Sequence, residues 1–340
     1  MKSEIQILTE AACMRENILY FFSSEFNGLF AKNIIMGEVE NLGSVPGEKY
    51  DQTQLYTNML YWDSKLYLIP LRASNAVVIY DILGKEFNKI ALDDRYDECD
   101  WKYQAAVIVS DKLFIFGVKI PEIICVDCKT NKVDYIKAWN DEKTNTTDIF
   151  FRKQLVVKED IIWIPFCDRS ALLELDTLTM NCTIHIIGKE TNGFAAIVED
   201  DGCFILAPRN VGDYIIRFNP LNEDSEKVAQ TYGERSDPID SITIDNGMLK
   251  VYTLDSKKIS VKSKSTVIVN GIWHYLGEAL IGIMQFNELE KTIYNQKKTG
   301  MTKIITLGIP KEFIKFRELF SGIVRENQSI NSLKAFMDYL

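Results

Sequence analysis

The residues that most often carry chemistry are few in this 340-residue chain. It has two histidines, His185 and His274, 89 positions apart, which excludes a multi-histidine metal centre. Seven cysteines include one C-x-x-C, Cys125-Val-Asp-Cys128, with no second pair. It spans a strand end and a turn, where a zinc or redox motif would need a knuckle or a helix N-terminus, so it reads as two small buried apolar residues. No nucleophile elbow, H-E-x-x-H, phosphate loop or G-x-G-x-x-G occurs. The acidic stretch Asp93-Asp94 with Asp97-Glu98-Cys99-Asp100 lacks the spacing of a calcium loop and reads as solvated. No catalytic residue, metal or cofactor is expected, and His274, between Trp273 and Tyr275, reads as structural.

Two patterns do recur in register. Arg72, Lys119, Arg169 and Arg209 follow one another at intervals of 40 to 50 residues, each just after a short apolar run. Four cations on one face of a chain with net charge −9 would repel unless acidic neighbours or an anionic ligand offset them. Arginine's planar fork suits a carboxylate or phosphate bidentately. The second pattern is aromatic: Tyr56, Tyr103, Phe151 and Phe194 each stand 10 positions before the same runs. Packing between neighbouring units explains them most simply. Trp101, Phe150 and Arg152 are expected on an exposed rim beside them, as a contact patch.

The runs themselves define the elements. Those starting at Ile18, Leu66, Leu113, Ile161 and Phe204 are 48, 47, 48 and 43 positions apart, and Leu249 follows 45 later. Trp62-Asp63-Ser64-Lys65, Ser110-Asp111-Lys112, Asp200-Asp201-Gly202 and Asp245-Asn246-Gly247 precede runs as tight hairpin turns. About 15 residues on, Asn33, Asp81, Asp127, Asp176 and Asn219 close apolar stretches, where their side chains can accept a backbone N–H two residues ahead. Two hairpins per period, rich in Ile, Val, Tyr and Phe, give four strands per unit. Four-stranded units at this period predict an all-β protein, a β-propeller of six blades over residues 1–309, with seven as the alternative. The stretch 241–307 fits one blade carrying an insertion, with hairpins at 242–251 and 267–275 and a sixth turn mark at Asn287. After Pro310 the spacing turns helical, so residues 310–340 are expected as a short helical appendage over 311–320 and 332–339.

The stretch Val78-Val-Ile-Tyr-Asp-Ile-Leu-Gly-Lys-Glu86, with Leu29 to Glu38 as a degenerate copy, resembles the third and fourth strands of kelch-like and WD40-like bacterial propeller repeats. The resemblance extends over most of residues 8–300, without the kelch double glycine or the WD40 Trp-Asp pair. It implies a platform for binding more readily than an enzyme.

Composition narrows the partners. With 48 acidic against 39 basic residues, a nucleic-acid or anionic-membrane surface is not expected. No apolar run reaches membrane-spanning length, and the odd cysteine count does not suit a disulfide framework, so a cytoplasmic protein is expected. The expected function is non-enzymatic: a scaffold holding an acidic peptide, protein segment or small anionic ligand at one mouth of the propeller channel. Arg72, Lys119, Arg169, Arg209 and Arg152 would supply charge, and Trp101, Tyr103, Phe150 and Phe151 apolar contact. The alternative is a hydrolase or lyase using carboxylates such as Asp93, Asp97 or Asp240 on a carbohydrate or peptide-derived substrate.

Overall fold

The structure, a computed structural model, describes residues 4–24, 26–33, 35–36, 39–137, 149–188, 192–210, 213–232, 239–245, 248–253, 260–263 and 303–308. These residues fall into two compact units, one holding those up to Leu92 together with 303–308, the other those from Asp93 to 263.

The first unit contains two antiparallel sheets in simple up-and-down order. One is β1 (Glu4–Arg15), β2 (Ile18–Ser23), β3 (Leu29–Asn33) and β4 (Val39–Gly43); the next is β5 (Tyr56–Trp62), β6 (Lys65–Pro70), β7 (Ala76–Asp81) and β8 (Glu86–Ala91). The second unit repeats the arrangement. It has β9 (Tyr103–Val109), β10 (Lys112–Gly117), β11 (Ile123–Asp127) and β12 (Val133–Ile136), then β13 (Val156–Lys158), β14 (Ile161–Pro165), β15 (Ala171–Asp176) and β16 (Cys182–Ile186). A third sheet follows as β17 (Phe194–Asp200), β18 (Cys203–Pro208), β19 (Tyr214–Asn219) and β20 (Asp224–Tyr232), and then the hairpin of β21 (Ile239–Asp245) and β22 (Met248–Thr253). Among the described residues the expected four-stranded unit is therefore present five times, and each apolar run is the second strand of its sheet.

Two strands were not anticipated by the period. β23 (Ser260–Ser263) adds to the edge of β20 instead of continuing the β21–β22 hairpin. β24 (Lys303–Gly308) pairs antiparallel with Glu4 to Thr9 of β1, which then pairs with β2 from Thr9 onward, making the first sheet five-stranded. The residues that would decide between six and seven repeats, including Asn287 and the hairpin expected at 267–275, lie outside the described residues. So do His274 and both helices expected in 310–340.

Local chemistry accounts for the corners. Asp63 and Ser64 have φ of 46° and 58°, and Asp201 and Gly202 have 48° and 77°, as two-residue turns with both central residues left-handed require. Asn33, Asp81, Asp127 and Asp176 each accept two backbone N–H groups, from two and three residues ahead, at 2.7–3.0 Å; Asn219 accepts one from Leu221 at 3.0 Å. All five act as turn residues, as their spacing predicts.

Burial grades across each sheet. Second and third strands are buried along almost their whole length, as in Lys65–Pro70 and Ile123–Asp127. Fourth strands such as Glu86–Ala91 and Val133–Ile136 are largely uncovered and carry charge, which discourages edge pairing. In the first unit one core joins its two sheets through Phe22, Leu29, Tyr56, Leu66, Leu68 and Val78. In the second, three cores join successive sheets, and the last packs β17–β19 against Ile239 and Ile242 of the terminal hairpin.

Candidate functional site

The loops after each second strand share one end of their sheets with the connections to the next sheet. Their backbones are tied in a repeated way. A residue just past the second strand donates to the residue leading into the first strand of its own sheet. The pairs are Leu71 N to Leu55 O at 2.8 Å, Val118 N to Lys102 O at 2.7 Å, Cys167 N to Phe150 O at 2.7 Å and Arg209 N to Gly193 O at 2.9 Å. The lead-in residue of the next sheet donates back to the loop before it, as Gln54 N to Ser24 O in the first unit and Phe150 N to Val118 O and Phe194 N to Phe166 O in the second. In the second unit the result is a rim of loops linked by backbone hydrogen bonds from Lys102 through to Arg209.

Lys119, Arg169 and Arg209 stand on that rim, one from each of three successive sheets. Lys119 is exposed. Arg169 forks onto Asp168 at 2.6 Å and lies over the Phe166 ring at 5.0 Å. Arg209 donates to Cys167 O at 3.4 Å, and Arg152 reaches Ile239 O at 3.2 Å. A carbonyl partner satisfies an N–H without cancelling charge. Lys119, Arg152 and Arg209 have no ion-pair partner among the described residues.

Arg72 belongs to the first unit. Its backbone is held by Leu55 O and by Gln52 Nε2, the latter at 2.6 Å. The same unit buries Glu48, whose carboxylate accepts the Ser74 N–H at 3.2 Å and the Ser74 hydroxyl, and meets Lys89 Nζ at 3.3 Å. The Tyr56 hydroxyl is buried with no hydrogen-bond partner among the described residues. Burial first, then the Glu48 charge, hold this phenol well above its ordinary range.

The aromatic expectations need correction. Phe150 is 3% exposed, and Tyr103 and Phe151 are fully buried, so none of the three offers a contact surface. Residue 150 is pinned between Val118 and Cys167 by its own N–H and C=O, which turns its ring into the core between the sheets. Phe151 packs within that core edge-to-face with Phe116 and tilted against Phe166, with ring centroids 5.7 and 4.8 Å away. Trp101 is half-buried. Cys125 and Cys128 are buried free thiols, as read from the sequence.

Asp93 is also committed elsewhere. It caps the short 3-10 turn Asp94–Tyr96 and pairs with Arg95 at 2.7 Å. The hydrogen bond from the Arg95 side chain holds its carboxyl below the ordinary range, the reverse of what a general acid needs. Asp97 closes the same turn, and the side chain of Asp240 lies outside the described residues.

Three polar residues escaped the sequence reading. Lys102, 3% exposed, donates to Cys99 O at 2.8 Å. Gln154 matches the backbone of Ile242 with both ends of its amide, donating at 2.8 Å and accepting at 3.0 Å. His185, 8% exposed, sets Nε2 2.7 Å from Glu174 and Nδ1 3.0 Å from Glu223, with its ring tilted against Trp163 and Phe218. Both ring nitrogens thus face carboxylate oxygens. The only sequence sign was Glu174, a charge set between Leu173 and Leu175 in the strand Ala171–Asp176.

No family model matches the chain, and no curated protein matches it. Solved structures do. The extracellular domain of a B. thetaiotaomicron protein named as a one-component system is similar with a TM-score of 0.58 at 12% identity, over 89% of this chain and 38% of that one. The chain thus spans well under half the length of that relative. Virginiamycin B lyase from Staphylococcus aureus is similar with a TM-score of 0.59 at 11% identity, over 79% of this chain and 89% of that one. The computationally designed Ika8 protein gives 0.52 at 11% identity, over 77% and 72% of the respective chains. At such identities the likeness concerns fold alone. Together with the repeated four-stranded antiparallel sheets, it supports an all-β, β-propeller-like protein.

Proposed function

We propose that this protein is a non-enzymatic binding module that holds an acidic peptide or protein segment, or a small anionic ligand, on the loop rim of its second unit. The observation that carries the reading is the rim itself: Lys119, Arg152 and Arg209 retain charge that no carboxylate offsets among the described residues, on loops fixed by backbone hydrogen bonds. A preorganised backbone lowers the ordering cost of binding. Arg72 is left out of this site because it belongs to the other unit. Tyr103, Phe150 and Phe151 support the loops from beneath. The seven free cysteines suit a reducing compartment, and we place the protein in the cytoplasm on that ground.

The test is fluorescence anisotropy with fluorescein-labelled hexaglutamate. Wild type should bind with an affinity that falls as salt rises. Lys119→Glu with Arg209→Glu should weaken binding at least tenfold, whereas Lys132→Glu, on the turn at the opposite end of its sheet, should not. Equal loss in both variants, or binding indifferent to salt, would sink the reading.

A further inference from the structure

At the opposite end of the first unit, away from the loops around Arg72, its two sheets do not close on one another. A cavity of about 570 Å³ remains between them, within the range of small-molecule sites. Ile18, Ala31 and Leu42 from the first sheet, Met36 from its exposed β3–β4 turn and Ile82 from the turn after β7 give it apolar walls. Two tyrosines also line it. Tyr20, on β2, is 9% exposed and Tyr80, on β7, is 1% exposed, yet neither hydroxyl has a hydrogen-bond partner among the described residues. Each phenol has its pKa raised, chiefly by burial, so both remain protonated donors at neutral pH. Glu40 and Lys85 also line the space and join the two sheets through an ion pair of 2.9 Å between exposed side chains.

These features select a ligand. An anion would meet Glu40 and a cation would meet Lys85, whereas an uncharged molecule leaves their pair intact. A purely apolar occupant would expel water from two phenols and leave both protons unpaired, at a cost of about 1–3 kcal/mol for each buried donor. A molecule with a carbonyl satisfies them instead. We propose that this cavity is a binding site for an uncharged, largely apolar small molecule that presents a carbonyl acceptor to Tyr20 and Tyr80.

Photolabelling with benzophenone, itself an uncharged diaryl ketone, tests this directly. Adducts mapped by mass spectrometry should saturate with concentration and fall on Met36, Leu42 or Ile82. Tyr20→Phe with Tyr80→Phe should raise the half-saturating concentration at least fivefold. Ala31→Trp, which fills the cavity from one wall, should abolish saturable labelling; Ile82→Trp fills it from the other wall if the first variant does not fold. Three results would each overturn the proposal: labelling scattered and linear in concentration, saturable labelling that survives a folded filled variant, or undiminished affinity in the double Phe variant.

Discussion

Gly193 and Gly202 both have positive φ, 108° and 77°, but their surroundings differ. A Cβ on Gly193 would lie 2.2 Å from the Cys167 carbonyl oxygen, whereas one on Gly202 would meet nothing within 4 Å. Gly202→Ala should therefore cost only the backbone strain, roughly 1 kcal/mol, and Gly193→Ala several times that, because a rim loop must also move. Urea midpoints of the two variants measure the difference. The turn carboxylates offer a second contrast. Backbone N–H donors, from Thr130 first to Asp127 and from Thr179 first to Asp176, hold both carboxyls below their ordinary range. The unfolded chain then binds more protons than the native one, so their contribution is complete above about pH 4 and is lost as pH falls through the lower native values. Asn33 and Asn219 make the same turn with an amide. Asp127→Asn with Asp176→Asn should accordingly keep most of the stability at pH 7 while flattening its decline below about pH 4, as followed by thermal unfolding. Such turn residues were legible in sequence because a side chain bonding its own backbone two or three residues ahead is a local event. Phe150 and the partners of His185 were not, since Phe150 depends on loops from neighbouring sheets, and Glu174 and Glu223 reach His185 from a paired strand and from the next sheet.

At the scale of elements, second strands, turns and period were readable because alternation, turn chemistry and spacing all gave one answer. The ties between sheets were not, since a backbone hydrogen bond from Phe194 to Phe166 leaves no mark on residue type. Gln154 shows how much such a tie carries. Its amide pairs with the N–H and C=O of Ile242, which is fully buried, and so acts as one rung of a strand ladder supplied by a side chain. Gln154→Ala removes both partners and should destabilise the protein by about 1–3 kcal/mol. Hydrogen exchange should localise the effect, with the Ile242 amide exchanging faster while Leu206, inside the adjoining sheet, keeps its protection. Gln154→Glu keeps the acceptor alone and should lie between the two.

For the whole molecule, the net charge of −9 favours solubility but does not say where the remaining cations gather. That depended on which basic side chains found carboxylates, as Arg169 and Lys89 did, and which found carbonyls, as Arg152 and Arg209 did. The join of the chain's distant segments was equally hidden, because β24 pairs with β1 across nearly the full length of the sequence. Ile304→Pro with Ile305→Pro removes two consecutive N–H groups, at least one of which must point toward β1. The variant should leave β1 as an open edge and elute as a larger species at high concentration in gel filtration; an unchanged monomer-sized profile and melting temperature would show that the pairing contributes little.

The direction of that pairing has a mechanical consequence. Glu4 faces Gly308 and Thr9 faces Lys303, so the chain enters and leaves the ladder at the same end. A pull applied through the two ends would load the β1–β24 rungs one after another, in the manner of a zipper, and not all together in shear. In an optical trap the first event should be a low-force release of this one strand pair, with the remaining sheets giving way only at higher load.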